Sequence, residues 1–370
     1  MQEIIELEEK SQKIYYKYID IAKGVAIILV VMGHIESTSA LYQIWQKFFM
    51  LFHVPIFFMI SGLTIQEEQI KKHYSYIKNK IKTIYIRAVI FCVLAVIAHN
   101  LCCRYGFYNP LLYPGDFRYD IYTNKEIVKQ IILTLGCAGR EPIMAAMWFV
   151  FVLFFSLCGY AILSSILSYF LKNESSYESV RTIIIWGMFV LSAFLTNHYQ
   201  FTIKRFSNVF AAIALIHLSH ILKHYKTIKF DRWEIMLISF IGLIQNMEYG
   251  IVLMNLNIYG NPIFLLSNGF FGMYFVCFWS KKIENYKWST ILQICGRHSF
   301  WIMALHILSF KIVTILLSKI YVCQVDIGRV TPIMFSWWEI VIYVVLGVMI
   351  PVVMEIIIKY TKKTIIGSVK

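Results

Sequence analysis

Lys23 and His34 stand eleven positions apart in Ile19-Asp-Ile-Ala-Lys-Gly-Val-Ala-Ile-Ile-Leu-Val-Val-Met-Gly-His-Ile35, a run that is otherwise apolar apart from Asp20. On an α-helix that separation is about three turns, roughly 16 Å of rise, and it puts both side chains on one face. Ionisable groups on a membrane helix are costly and mark a functional site by default. A neutral imidazole takes up a proton near pH 7, which suits a general base. A second imidazole, His53, opens His53-Val-Pro-Ile-Phe-Phe-Met-Ile-Ser-Gly62. If that helix runs back antiparallel to the first, His53 returns to the depth of His34, and the two can share a proton or grip one substrate. Pro55 removes one helix hydrogen bond and kinks the span. Ser61 and Gly62 permit close helix approach. Glu36, two residues beyond His34, places a carboxylate where it can orient an imidazole.

Other polar groups recur along the chain. The basic run Lys71–Lys82 includes Lys78, Lys80 and Lys82, with Arg87 beyond it. Membrane topology and anionic lipid suffice to explain such a run; the functional alternative is a dock for a polyphosphate. Asn261 belongs to a set of polar residues at expected outer helix ends, with Asn197, His198, Asn246 and Glu248. Ordinary interfacial polarity accounts for such a set, and lining for a hydroxyl-rich ligand is the functional alternative. Gly296-Arg-His-Ser-Phe-Trp-Ile-Met-Ala-Leu-His306 brings Arg297 to one helix end and His306 two turns inside. Eight scattered cysteines form neither a C-x-x-C pair nor a zinc spacing. A disulfide among Cys102, Cys103, Cys137 and Cys323 is left open, and no metal site is expected. No G-x-x-x-x-G-K-[ST] loop is present, which excludes ATP hydrolysis by that route.

The elements that must position these residues are membrane helices. Of 370 residues, 59% are hydrophobic and only 15% charged, against about a quarter charged in soluble domains. Ten spans of roughly the required length are expected, at about 19–39, 44–65, 83–101, 144–168, 182–199, 206–222, 233–250, 262–280, 299–319 and 337–358. The expected fold is therefore an all-α polytopic bundle, with one transmembrane domain over 19–358, an N-terminal segment 1–18 and a tail 359–370. No removable signal peptide is expected. With both termini inside, the inner segments carry 22 Lys and Arg and the outer ones 9, as the positive-inside rule requires. That rule accounts for the net charge of +14 without nucleic acid. The longest outer segment, about 102–143, is rich in Tyr among Gly and Pro, a composition that suits either a lid or sugar-facing loop or one lying on lipid headgroups. Val128–Ala138 is apolar but too short to span, which suits a re-entrant or interfacial piece.

Asp20 to His34 and Phe52 to Gly62 together resemble the membrane-bound acyltransferase type 3 superfamily, within it the fucose 4-O-acetylase-like branch. That family pairs a basic residue with a His after ten intervening residues; Lys23 stands here where many members have Arg. The basic stretch before the third span is a further match, without a Pro often seen there. Trp148-Phe149, Tyr259-Gly-Asn-Pro262 with Phe264, and Gly296–Phe300 with His306 are similar to weaker downstream motifs. The resemblance implies transfer of an acyl group, usually acetyl, from cytoplasmic acetyl-CoA to a hydroxyl of an extracytoplasmic glycan or lipid-linked sugar, in a bacterial plasma membrane. It makes His34 the essential His, with His53 beside it. Lys23 stands for the basic partner of that His; a mechanism built on this sets Lys23, Lys78, Lys80, Lys82, Arg87 and Arg297 toward the donor, with Asp20, Glu36, Ser61, Gly62, Trp148, Asn261 and His306 as motif or acceptor-side candidates. Membrane lipids are the other expected partner. A separate acyl-accepting protein and a second copy of the chain are left open. The alternative class is a transporter or flippase, which ten spans with midplane polar groups also suit, although paired half-length segments are lacking.

Overall fold

The computed structural model describes residues 16–113, 115, 117–139, 141–199, 205–225, 228–320 and 326–367. Most of segment 1–18 and Cys323 lie outside them. In chain order the α-helices are α1 Lys17–Gly33, α2 Ala40–Met50, α3 Pro55–Thr64, α4 Glu67–Lys71, α5 His73–Lys80, α6 Ile86–Arg104, α7 Asn124–Leu135, α8 Trp148–Phe170, α9 Glu174–Tyr199, α10 Arg205–His224, α11 Trp233–Tyr249, α12 Pro262–Ile283, α13 Ser289–Arg297, α14 Ser299–Ile320 and α15 Trp337–Gly367. A two-residue parallel pairing joins β1 Glu36–Ser37 to β2 Ile333–Met334.

Seven described helical stretches are long and apolar enough to cross a membrane: Ala40–Thr64, His73–Arg104, Pro142–Phe170, Glu174–His198, Pro262–Ile283, Ser299–Lys319 and Trp337–Lys362. The chain is thus a largely α-helical, polytopic membrane protein. Each of the other three expected spans also coincides with a helix: α1, α10 and α11. The outer helices show what faces lipid. On α6, Ile86, Ile90, Leu94, Ile97 and Leu101 are exposed at helical spacing; on α15, Val341, Val345, Met349 and Val353 form a second such stripe. An apolar stripe turned outward has lipid as its solvent.

The core surrounds α1. It is buried on several sides by Ile21, Ala22, Ala26, Ile27, Val30 and Val31, and it packs against α3, α12, α13, α14 and α15. Its closest neighbour is α13. A Cβ on Gly24 would lie 2.0 Å from the Leu292 carbonyl oxygen, and one on Gly296 would lie 1.9 Å from that of Asp20. Only glycine admits this approach at either position.

Two boundaries differ from the sequence expectation. The first helix stops at Gly33 instead of running on to residue 39, because tight turns follow and the chain pairs at Glu36–Ser37 with Ile333–Met334. That pairing is a long-range contact, which local apolar content cannot announce. The second span divides into α2 and α3 around residues 51–54, with Pro55 at the first turn of α3. Proline supplies no N–H there, so the kink falls where its chemistry puts it. The short apolar piece near 128–138 is α7, an amphipathic helix with a Thr123–Glu126 capping box and with Val128, Ile132 and Leu135 turned outward, as an interfacial segment requires.

Candidate active site

His34 is the C-cap of α1, at φ −96° and ψ 12°, a sparsely populated backbone region where active-site residues recur. Its Nδ1–H donates to the Val30 carbonyl at 2.8 Å. In the neutral ring that bond puts the proton on Nδ1 and leaves the lone pair on Nε2. His306, fully buried in α14, repeats the arrangement: Nδ1–H donates to the Ile302 carbonyl at 2.8 Å, and Nε2 is buried with no hydrogen-bond partner. The two rings meet edge to face with centroids 4.9 Å apart. Two basic nitrogens are thus gathered in the bundle interior.

The packing explains the meeting. Gly24 and Gly296 fix the crossing of α1 and α13, and each histidine follows its glycine by ten residues. α1 and the α13–α14 pair, which turns at His298, carry their imidazoles to one level, with ring centroids 4.9 Å apart. His53 joins them from the α2–α3 break. Its Nε2 lies 3.6 Å from where a Cβ on Gly33 would stand, and its Nδ1 is buried without a partner. His34, His53 and His306 therefore form one neighbourhood.

The remaining expected residues are distributed as follows. Asp20 is one turn before Lys23 and pairs with Arg297, Nε to Oδ2 at 3.1 Å, while Lys23 is half-buried next to the glycine crossing. These three lie at the end of α1 away from His34. Lys78, Lys82 and Arg87 are exposed, and Lys80 covers the Tyr76 ring at 4.8 Å. Between them Ile81–Tyr85 forms one π-helical turn, a feature frequent at functional sites. Glu36 accepts the Thr331 hydroxyl at 2.6 Å and so holds β1 to the segment before β2. Ser61 donates to the Phe57 carbonyl, and a Cβ on Gly62 would lie 2.1 Å from the Ile216 carbonyl oxygen; both serve the packing of α3. Asn261 caps α12 by accepting from the Phe264 amide at 2.8 Å. Trp148 lines a cavity at the start of α8. Among the described residues Cys102, Cys103 and Cys137 form no disulfide. Among the described residues no group of three or more His, Cys, Asp or Glu is placed to hold a metal ion.

The sequence reading does not single out two buried polar groups. Fully buried Arg181 bonds Glu67 at 3.0 and 3.2 Å, Tyr177 at 2.7 Å, Ser164 at 3.0 Å and Glu178 at 2.5 Å, while His220 bonds Glu67 at 2.9 Å. Burial opposes ionisation of Glu67, but the His220 hydrogen bond and the Arg181 charge outweigh it and bring its pKa down to about 2. Glu178 and Tyr177, three and four residues before Arg181, are the local signal in the sequence; Glu67 comes from a distant segment and leaves none. His99 and Glu141 form the second group, at 2.9 Å.

Imidazoles that converge in the interior of a polytopic membrane protein suit proton or acyl transfer. The chain belongs to the acyltransferase domain family Acyl_transf_3, which matches residues 16–356. Neither the curated proteins nor the solved structures contain a significant match. Family membership makes the chain an O-acyltransferase and gives it an acyl-CoA-type donor.

Proposed function

We propose that the protein moves an acetyl group from cytoplasmic acetyl-CoA to a hydroxyl of an extracytoplasmic glycan or lipid-linked sugar in a bacterial plasma membrane, as a fucose 4-O-acetylase-like enzyme would. The chain then crosses ten times, with both termini inside. The observation that carries the reading is the His34 ring: Nδ1 is committed to Val30 and Nε2 is left basic, 4.9 Å between centroids from His306. Lys78, Lys82 and Arg87 meet the donor's phosphates at the inner face, with Lys80 beside them. The pantetheine arm follows α1 past Lys23, over a rise of roughly 16 Å, to bring the thioester to His34.

His34 Nε2 then takes the proton of the acceptor hydroxyl while that oxygen attacks the thioester carbonyl. The C–O bond forms, the C–S bond breaks, and the CoA thiolate leaves with the proton returned from His34. General-base help of this kind is worth roughly 10²–10⁴-fold. His306 Nε2 accepts a hydrogen bond from a neighbouring hydroxyl of the acceptor sugar, and His53 stands beside His34. The test is transfer of label from radiolabelled acetyl-CoA to surface glycan in membranes containing the full chain. His34→Ala should lose turnover by that factor at normal abundance; undiminished turnover would refute the assignment.

A further inference from the structure

A cavity of about 410 Å³ lies at the start of α8, walled by Tyr113, Arg118, Tyr119, Thr134, Glu141 and Trp148 among others. None of these except Trp148 belongs to the motifs that carry the family resemblance. Glu141 is only 4% exposed. Its Oε2 faces His99 Nδ1 at 2.9 Å and accepts from the Tyr108 hydroxyl at 3.4 Å, while Oε1 is buried and makes no well-formed hydrogen bond, although the Tyr122 hydroxyl stands close to the carboxylate. His99 is itself pinned: Nε2–H donates to the Asp120 carbonyl at 2.7 Å, and the ring stacks on Tyr122 at 3.4 Å between centroids. Both ring nitrogens of His99 thus face oxygen acceptors. Thr134 Oγ1 is a second buried, unpartnered atom. Tyr113 and Tyr119 stack at 4.2 Å, and the Arg118 guanidinium lies 5.8 Å from the Tyr119 ring centre.

These features select a ligand. A buried carboxylate oxygen without a well-formed hydrogen bond is costly, so a ligand that supplies O–H groups gains what the protein lacks. A phosphate brings acceptor oxygens only and leaves Glu141 Oε1 unsatisfied. An ammonium meets the Arg118 guanidinium in the same wall. Aromatic faces beside hydroxyl acceptors suit a molecule that is apolar on its ring faces and polar at its edge, and the volume falls in the range of small-molecule sites. We propose that this cavity binds a neutral hexopyranose ring, with Glu141 Oε1 accepting from a sugar hydroxyl. It rests on the proposed acyl transfer only for its role, which is to hold the acceptor.

The cavity is tied to the histidines by structure. Val330 lines it, and the next residue, Thr331, donates to Glu36 at 2.6 Å, two positions past His34. The turn Pro142–Met147, which forms part of the wall, packs on α14, the helix of His306. Lys311, on α14 and buried, holds the Ile327 and Arg329 carbonyls with its ammonium, and so fixes the segment that presents Val330.

The experiment is saturation-transfer NMR on the full chain in detergent micelles, with methyl glycosides of neutral hexoses as probes, run beside the acetyl-transfer assay. Wild-type protein should show transfer to at least one neutral methyl hexopyranoside. Glu141→Gln should weaken it about 10–100-fold. Ala145→Trp fills the cavity from an exposed wall position without touching the His99–Glu141 pair, and should abolish it. His34→Ala should keep the sugar signal while losing acetyl transfer. Absence of a signal in wild type, a stronger signal from glucuronic acid or glucosamine, or a signal unchanged in Ala145→Trp overturns the inference. Full acetyl transfer by His34→Ala with the sugar signal intact refutes the proposed chemistry and leaves the sugar site standing.

Discussion

His34 and His306 each spend Nδ1 on a carbonyl four residues back in the chain. That local bond does two things at once. It removes a buried donor's need for water, and it selects the tautomer whose Nε2 is basic. The difference between the two rings is position. His34 sits where a helix ends and the backbone opens, whereas His306 sits inside a continuous helix. In the proposed mechanism the proton-accepting role therefore falls to His34, and His306 supports it through the substrate. His306→Ala should lower kcat about 10–100-fold, the cost of one hydrogen bond in a buried site, and less than His34→Ala does. Steady-state assay of both variants at matched abundance checks the order.

Close helix contact decides where those rings stand. The α1–α13 crossing has no room for a methyl group at Gly24 or Gly296, since backbone oxygens occupy the space. Gly296→Ala should force the helices apart, cost about 1–3 kcal/mol, and lower activity by moving His34 away from His306; thermal unfolding in detergent measures the first effect. At the far end of α3, Glu67 ties α4, α9 and α10 together through Arg181 and His220. Glu67→Gln leaves a fully buried guanidinium with less compensation and should cost about 3 kcal/mol. The sign of the pH dependence follows from the lowered pKa. Above the ordinary value of 4.5 the carboxylate is ionised in both folded and unfolded chains, and its stabilisation is complete. As pH falls from there toward about 2, the unfolded chain binds the proton first and the stabilisation is lost. Unfolding midpoints of wild type should drop over that window, and those of Glu67→Gln should drop less.

At the scale of the molecule, α1 lies in the core and the outward apolar stripes on α6 and α15 meet the lipid. Core helix α1 has polar residues at both ends, Asp20 and Lys23 at one and His34 at the other, so its charges are shielded by protein. The lipid-facing stripes on α6 and α15 carry no charge among the residues that define them. If the basic segments face inward, the aromatic segment with exposed Leu111 faces out. In a background lacking the native cysteines, Leu111→Cys should react with an impermeant maleimide in intact cells. Lys78→Cys should react only after lysis, and the reverse pattern would overturn the ten-span orientation.

Local chemistry determined the helices: apolar runs of spanning length are dictated by the cost of unpaired backbone in lipid, and seven described stretches have that length, while the other three expected segments overlap shorter or less apolar helices. Lys23, His34 and His53 were legible as well, because an ionisable group in an apolar run is conspicuous wherever the chain goes. The partner of His34 was not. The sequence placed His53 opposite it and His306 among outlying candidates, whereas the α1–α13 glycine contact brings His306 closest to its ring. The matching ten-residue spacings from Gly24 and Gly296 were visible, but they acquire meaning only when the two glycines touch. The Glu67–Arg181–His220 cluster and the Glu141 cavity were equally hidden, since each joins residues distant along the chain. Periodicity reports which face a residue occupies; which other face it meets is settled only when the helices pack.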